Sequence, residues 1–213
     1  EPVPYARAVE ASCGTPPSPS EPKAKREKVA ALLDAAGYAG DLQAAVERWR
    51  RDRLVPRKSI PALARAFIAE LDAATAVHLL PHLPPALSAV PRANVTFLPI
   101  ENAWFSGSMN YLGRARQADG SPEYEATYEL NAALEISVPE FVQLVAHEVE
   151  PGHVTTFAFL QQLYWTGAAG FEASIPTMNT RAATLSEGIA NNAILIAHGV
   201  TEIAELNEPD LEL

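Results

Sequence analysis

Apolar residues recur at three- and four-residue intervals in two blocks of this chain and at intervals of two in the block between them. That change of period calls for helices packed with a sheet. In the first block, Val29, Leu32, Leu33 and Ala36 share one face of a helix that Ser20 can cap and Gly37 can end. Asp41 caps a second helix carrying Leu42, Ala45, Val46 and Trp49 on one side. Ser59 opens a third, with Pro61 in its first turn and Leu63, Ala66, Phe67, Leu71 and Ala74 inward. The prolines from Pro81 to Pro91 predict an ordered loop. Residues 1–20 end in Thr15-Pro16-Pro17-Ser18-Pro19-Ser20 and predict an irregular lead-in, because proline removes donors and disfavours helix before it.

In the middle block, Val95-Thr96-Phe97-Leu98 predicts a strand, and residues 104–111 can supply another. Tyr124, Ala126, Tyr128 and Leu130 alternate with Glu125, Thr127, Glu129 and Asn131, as a half-buried strand requires. Residues 118–122 form a turn signal. Helix returns at Ser137-Val138-Pro139-Glu140, a capping box with proline in the first turn. This helix should bury Phe141, Leu144 and Val145 and run into His147. A second is expected from His153 to Tyr164, then a loop through Gly167 and Gly170. A last helix is expected over residues 181–198, with Ile189, Ala193, Ile194 and Ile196 apolar and Gly199 as its stop. The expected fold is mainly α with a small antiparallel sheet, an α+β class. Residues 1–20 form the lead-in and 21–93 a helical region. Residues 94–213 hold the sheet and the site helices, in one unit with 21–93.

Composition narrows the function. Hydrophobic residues make up 48% and charged residues 20%, an ordinary globular balance. Sixteen Lys and Arg against 26 Asp and Glu leave a net charge of −10, which repels phosphate backbones and argues against a nucleic-acid partner. No apolar run reaches the roughly 18–20 residues of a membrane span. The start, Glu1-Pro2-Val3-Pro4, lacks signal-peptide features. The lone Cys13 can make no internal disulfide or thiolate metal cluster, so a reducing, cytoplasmic setting is the expectation.

The chemistry concentrates in Ala146-His147-Glu148-Val149-Glu150-Pro151-Gly152-His153. In a zincin helix, His-Glu-x-x-His sets two imidazoles four residues apart, about 40° around the helix, so both reach one zinc, and the glutamate acts as general base. Here the second histidine stands six residues on, where an unbroken helix would turn it some 240° away. Pro151 lacks the N–H that would bond the His147 carbonyl, and its ring clashes with that turn. A bend or bulge between Val149 and His153 could bring the two rings back together on one metal. An open catalytic site needs a third ligand. Glu187, in Leu185-Ser186-Glu187-Gly188-Ile189-Ala190-Asn191-Asn192, sits among apolar neighbours and needs a partner if buried, and a metal would be one.

At these residues the chain resembles a family of bacterial and archaeal proteins carrying His-Glu-x-x-Pro-Gly-His and a later Glu-Gly helix, grouped with gluzincin-like zinc peptidases. The resemblance starts near Trp104, where an aromatic-Gly-Asn-Tyr segment precedes Leu130-Asn131, and extends through Glu187-Gly188. It implies zincin-like active-site helices, with His147, His153 and Glu187 as Zn2+ ligands and Glu148 as catalytic base. Many members carry a further histidine after the second ligand, where Val154 stands here. Members also run longer, which implies that this chain is part of a longer polypeptide.

The expected activity is therefore a zinc-dependent hydrolase, most simply a peptidase acting on a peptide or small amide. Tyr111 and Arg181 are the candidate donors to the oxyanion, with Asn179 a further polar group near the site. Glu150, Asn131 and Asn191 are candidates to orient the ligating imidazoles. The alternatives are a metal-dependent enzyme acting on another bond and a non-catalytic zinc scaffold. A structural site has no need of a base and is usually closed by four ligands, often cysteines. His78 and His82 have the zincin spacing but are interrupted by Pro81 and read as loop or core histidines. His198 reads as a partner for a helix C-terminus, and Ser106-Gly107-Ser108 lacks the spacing of a nucleophile elbow. Trp104, Phe105 and Tyr111 read first as sheet packing. Substrate and oligomeric state are left open.

Overall fold

Caps, prolines and glycines place most element ends. A computed structural model of the chain describes residues 2–18, 21–101, 103, 105–131, 133, 135–175, 177–178 and 180–206. Its helices are α1 (Tyr5–Cys13), α2 (Pro22–Ala35), α3 (Leu42–Arg51), α4 (Ile60–His78), α5 (Pro85–Ser88), α6 (Val138–Glu148), α7 (His153–Trp165), α8 (Arg181–Asn191) and α9 (Ala193–His198). The strands are β1 (Val95–Ile100), β2 (Gly107–Tyr111) and β3 (Ala126–Asn131). The α+β class stands. Asp41 caps α3 by accepting from the Ala44 N–H at 3.0 Å. At α6 the capping box is present: the Ser137 N–H and hydroxyl both donate to the Glu140 carboxylate, at 2.9 and 2.8 Å.

Four expectations need correction. The lead-in is not wholly irregular, because Tyr5–Cys13 forms α1. Those nine residues contain no proline and three alanines, and Gly14, at φ 80°, ends the helix in the left-handed region. Helix α2 starts after Glu21 with no side-chain cap, and Ser20 lies outside the described residues. Of its expected apolar face only Leu33 is buried, while Val29 and Leu32 are exposed. Ala66 of α4 is likewise exposed. The sheet is mixed, in the order β1–β3–β2, with β1 parallel and β2 antiparallel to β3. The chain reverses at each connection, but β3 slots between its predecessors and so lies beside a strand running its own way. Finally, the last helix is two. The Asn192 side chain donates to the Gly188 carbonyl at 2.8 Å and competes with the backbone ladder, which restarts as α9 and stops at Gly199, φ 66°.

The core joins α4 and the segment before it to the later segments, so residues 55–74 share one interior with α6 and α7. Phe67 of α4 meets Phe141 of α6 edge to face at 5.4 Å. Tyr128, Val145, Val149, Val154, Ala193 and Ala197 fill the same cluster. Ala126, Tyr128 and Leu130 of β3 point into it, as their alternation requires. Arg50 of α3 reaches Glu140 at 2.8 Å, fixing the start of α6 from outside. No helix among the described residues is long and apolar enough to cross a membrane.

Candidate metal centre

Helix α6 ends at Glu148, and the backbone then widens its turns rather than stopping. The Val149 N–H still bonds the Val145 carbonyl at 2.9 Å, but the Glu150 N–H reaches that same carbonyl and the Gly152 N–H reaches back to Ala146 at 3.0 Å. The Glu150–Pro151 peptide is cis. Normal i→i−4 bonding resumes with Thr156 N–H to the Gly152 carbonyl at 3.0 Å, within α7. The expected break between Val149 and His153 is therefore present. Gly152 makes it possible. A Cβ there would lie 1.8 Å from the His147 carbonyl oxygen and 2.4 Å from that of Ala146, so no larger residue fits without moving the backbone.

The corner turns His153 back onto His147. The two rings stand edge to face with centroids 4.8 Å apart. Glu187, carried in from α8, places one carboxylate oxygen 3.5 Å from His147 Nε2 and the other 3.4 Å from His153 Nε2. One ligand atom from each residue lies within 4.8 Å of the others, and this is the group among the described residues that could hold a metal ion. Around tetrahedral zinc at 2.0–2.1 Å, neighbouring donors sit about 3.4 Å apart. The residues thus fit the ion in donor chemistry, and each histidine stands at that spacing from one Glu187 oxygen. His147 and His153 are 19% and 11% exposed and Glu187 is 51% exposed, so the centre is walled on the helix side and open on one face. Burial first, and then the neighbouring His147, hold His153 below the usual imidazole range, which favours the neutral ring a metal needs. Its other nitrogen, Nδ1, lies 3.2 Å from the Ser186 hydroxyl, which can orient the ring.

Glu148 sits beside the trio. Burial first, and then the charge of Glu187, push its carboxyl up to about 7, against one opposing hydrogen bond from the Met109 N–H. That bond fixes the orientation of β2. In the antiparallel ladder, Ser106 and Leu112 bond across to Asn131 and Glu125. The alternation then leaves the peptide groups of Gly107, Met109 and Tyr111 on the outer edge, facing the site. A cavity of about 580 Å3 opens along this edge, with Gly107, Gln143, His147, Glu148 and Asn191 on its walls. Behind Glu148, the fully buried Tyr128 hydroxyl has no hydrogen-bond partner, and burial together with the Glu148 charge raises its pKa.

The other expected residues divide. Tyr111 lies near the centre: its ring tilts against Phe157, which stacks on His153, each pair 6.0 Å apart. Its hydroxyl, however, donates to Gln161, so that proton is engaged. Arg181 stands at the start of α8, exposed, with its side chain against Gly14 of the α1 end. No hydrogen bond or ion pair joins it to His147, His153 or Glu187. Asn179 and Trp104 lie outside the described residues. Of the three candidate orienting groups, Glu150 is fully buried but bonds Arg92 at 3.2 Å and Thr155. Asn131 is spent on the Ala103 and Phe105 carbonyls at 2.8 and 3.0 Å, and Asn191 is exposed. His78, the last residue of α4, and His82 are both exposed, and neither joins a metal-capable group among the described residues. Sequence reasoning missed Ser186, whose adjacency to Glu187 was a usable signal, and Tyr128, whose inward phase in the alternation placed a hydroxyl in the core.

Comparison of the chain with protein-family models, with curated proteins and with solved structures finds no match.

Proposed function

We propose that the chain is a zinc-dependent hydrolase acting on peptides, with His147, His153 and Glu187 as the metal ligands and Glu148 as the general base. One observation carries the reading: three donors from three helices converge within 4.8 Å of one another beside a half-buried carboxylate raised to about 7. Zinc, when bound, supplies an electrophile for the scissile carbonyl and makes water acidic near neutrality. Glu148 takes the proton from the attacking water and delivers it to the departing amine, a task suited to a carboxyl whose pKa lies near the working pH. The outer edge of β2 offers main-chain donors and acceptors to an extended peptide. A zinc scaffold without activity has no use for an acid held at this position.

Two amide variants test the reading. Glu148→Gln keeps the ligands, so zinc should stay bound while turnover falls on the order of 10²–10⁴. Glu187→Gln exchanges a charged ligand for a neutral one, so zinc content and activity should fall together. Metal analysis with a peptide-library assay reads both. Full activity in Glu148→Gln would reject the mechanism, and full zinc in Glu187→Gln would reject the ligand set.

A further inference from the structure

A second and larger cavity, about 680 Å3, meets β2 at Met109, Asn110 and Tyr111, further along the strand than the first, which meets it at Gly107; the walls of the two differ in kind. Tyr111, Phe157, Leu160, Tyr164, Trp165 and Phe171 line it. Two contacts join it to the metal centre. Phe157 stacks on the His153 ring at an interplanar angle of 22°. Met109, also in the wall, gives its N–H to Glu148. The cavity therefore begins where the reacting bond of a substrate would lie.

Two guanidinium groups sit in this apolar wall without a carboxylate. Arg114 is exposed and makes no hydrogen bond or ion pair among the described residues. Arg116 donates only to the Gly113 and Ala115 carbonyls, at 2.7 and 2.9 Å, and lies over the Trp165 ring at 5.9 Å. In a protein of net charge −10, two exposed guanidinium groups without a carboxylate partner at the rim of an aromatic pocket are a local reversal of the field. Such a pocket suits a group that is both bulky and apolar and negatively charged. A peptide offers that combination within one residue at its C-terminus, where an apolar side chain and a free α-carboxylate share a Cα.

We propose that this cavity receives the C-terminal residue of the substrate, with an aromatic or large aliphatic side chain against the ring wall and the α-carboxylate on Arg114. The assignment rests on the hydrolase reading above. Water adds hydroxide to the acyl carbon as the C–N bond breaks, and its second proton, carried by Glu148, goes to the amine. The products are a shortened peptide and one free amino acid.

Binding can be measured without turnover. N-Acetyl-L-phenylalanine and its C-terminal amide are titrated into the protein with tryptophan fluorescence as the signal. A charge-assisted contact predicts about tenfold tighter binding of the acid, and Arg114→Ala should bring the acid down to the level of the amide. Equal binding of acid and amide, or an unchanged preference in Arg114→Ala, overturns the proposal. Cleavage is then assayed with zinc-loaded protein on peptides ending in Phe, in Phe-amide and in Gly. Release of phenylalanine from the first alone, with KM rather than kcat rising in Arg114→Ala, supports it. Equal cleavage of all three defeats the pocket and leaves the hydrolase standing. Preferential binding of the acid with no cleavage of any peptide defeats the hydrolase, and the substrate assignment with it.

Discussion

Glu150 is the residue whose environment most opposes its charge. It is fully buried in the corner between α6 and α7, with Arg92 3.2 Å away and Asp72 on the far side of that arginine at 2.7 Å. Burial outweighs the help from Thr155 and Arg92 and lifts its carboxyl from 4.5 to about 7. The folded protein then holds a proton that the unfolded chain has released between those two values. Stability from this group is therefore present below about 4.5 and is lost as pH rises through about 7, a change of about 3 kcal/mol. Glu150→Gln is neutral throughout, so its Tm should gain on the wild type between pH 4.5 and pH 7.5. Melts in chelator keep metal binding out of the comparison. A difference that stays constant with pH would show that Glu150 ionises in the fold as freely as in the unfolded chain. At this scale the sequence placed His147, Glu148 and His153 well, because their spacing and the intervening proline are local facts. It placed Glu150 poorly, since Arg92 reaches it from 58 residues away.

The corner between α6 and α7 is the element on which the candidate centre depends. Two residues beyond the zincin spacing are absorbed by widened turns, and the widening is possible only because Gly152 lies against two carbonyls. Gly152→Ala should therefore push the corner open, costing several kcal/mol as an overpacking change on backbone. Because His153 begins the next helix, zinc affinity should fall by more than the stability loss explains. Calorimetric zinc titration beside thermal melts separates the two. Retention of wild-type zinc affinity in Gly152→Ala would mean that the corner does not set the site. The capping box at Ser137 and the proline-glycine stop made these two helices legible from the chain alone. The order of the sheet was not legible, because alternation fixes which face of a strand is buried and says nothing about which neighbour it takes. The α8–α9 break was missed because a single Asn side chain, not a proline or glycine, makes it.

At the scale of the molecule, the three proposed ligands come from three helices that are otherwise unequally anchored. Helices α6 and α7 supply Phe141, Val145, Val154 and Ala158 to the interior, whereas α8 buries only Ala190. A metal at the trio would thus do more for α8 than for its partners, since it would tie a weakly packed helix to two well-packed ones. Free zinc at a thousandfold above its Kd stabilises a folded protein by about 4 kcal/mol, which for a chain of this size raises Tm by about 10 °C. The wild type should show that rise and Glu187→Gln should show little of it. Amide hydrogen exchange then locates the effect. Zinc should slow exchange across residues 181–191 far more than across α4, whose protection already reflects the shared core. Uniform slowing along the chain would point to an ion that stabilises the whole fold without bridging α8, and no slowing anywhere would remove the metal from the structure's account altogether. The sequence could supply the packing of α4 on α6 through their matching apolar faces. It could not supply the weak hold on α8, which depends on which surfaces are left for α8 once the others have met.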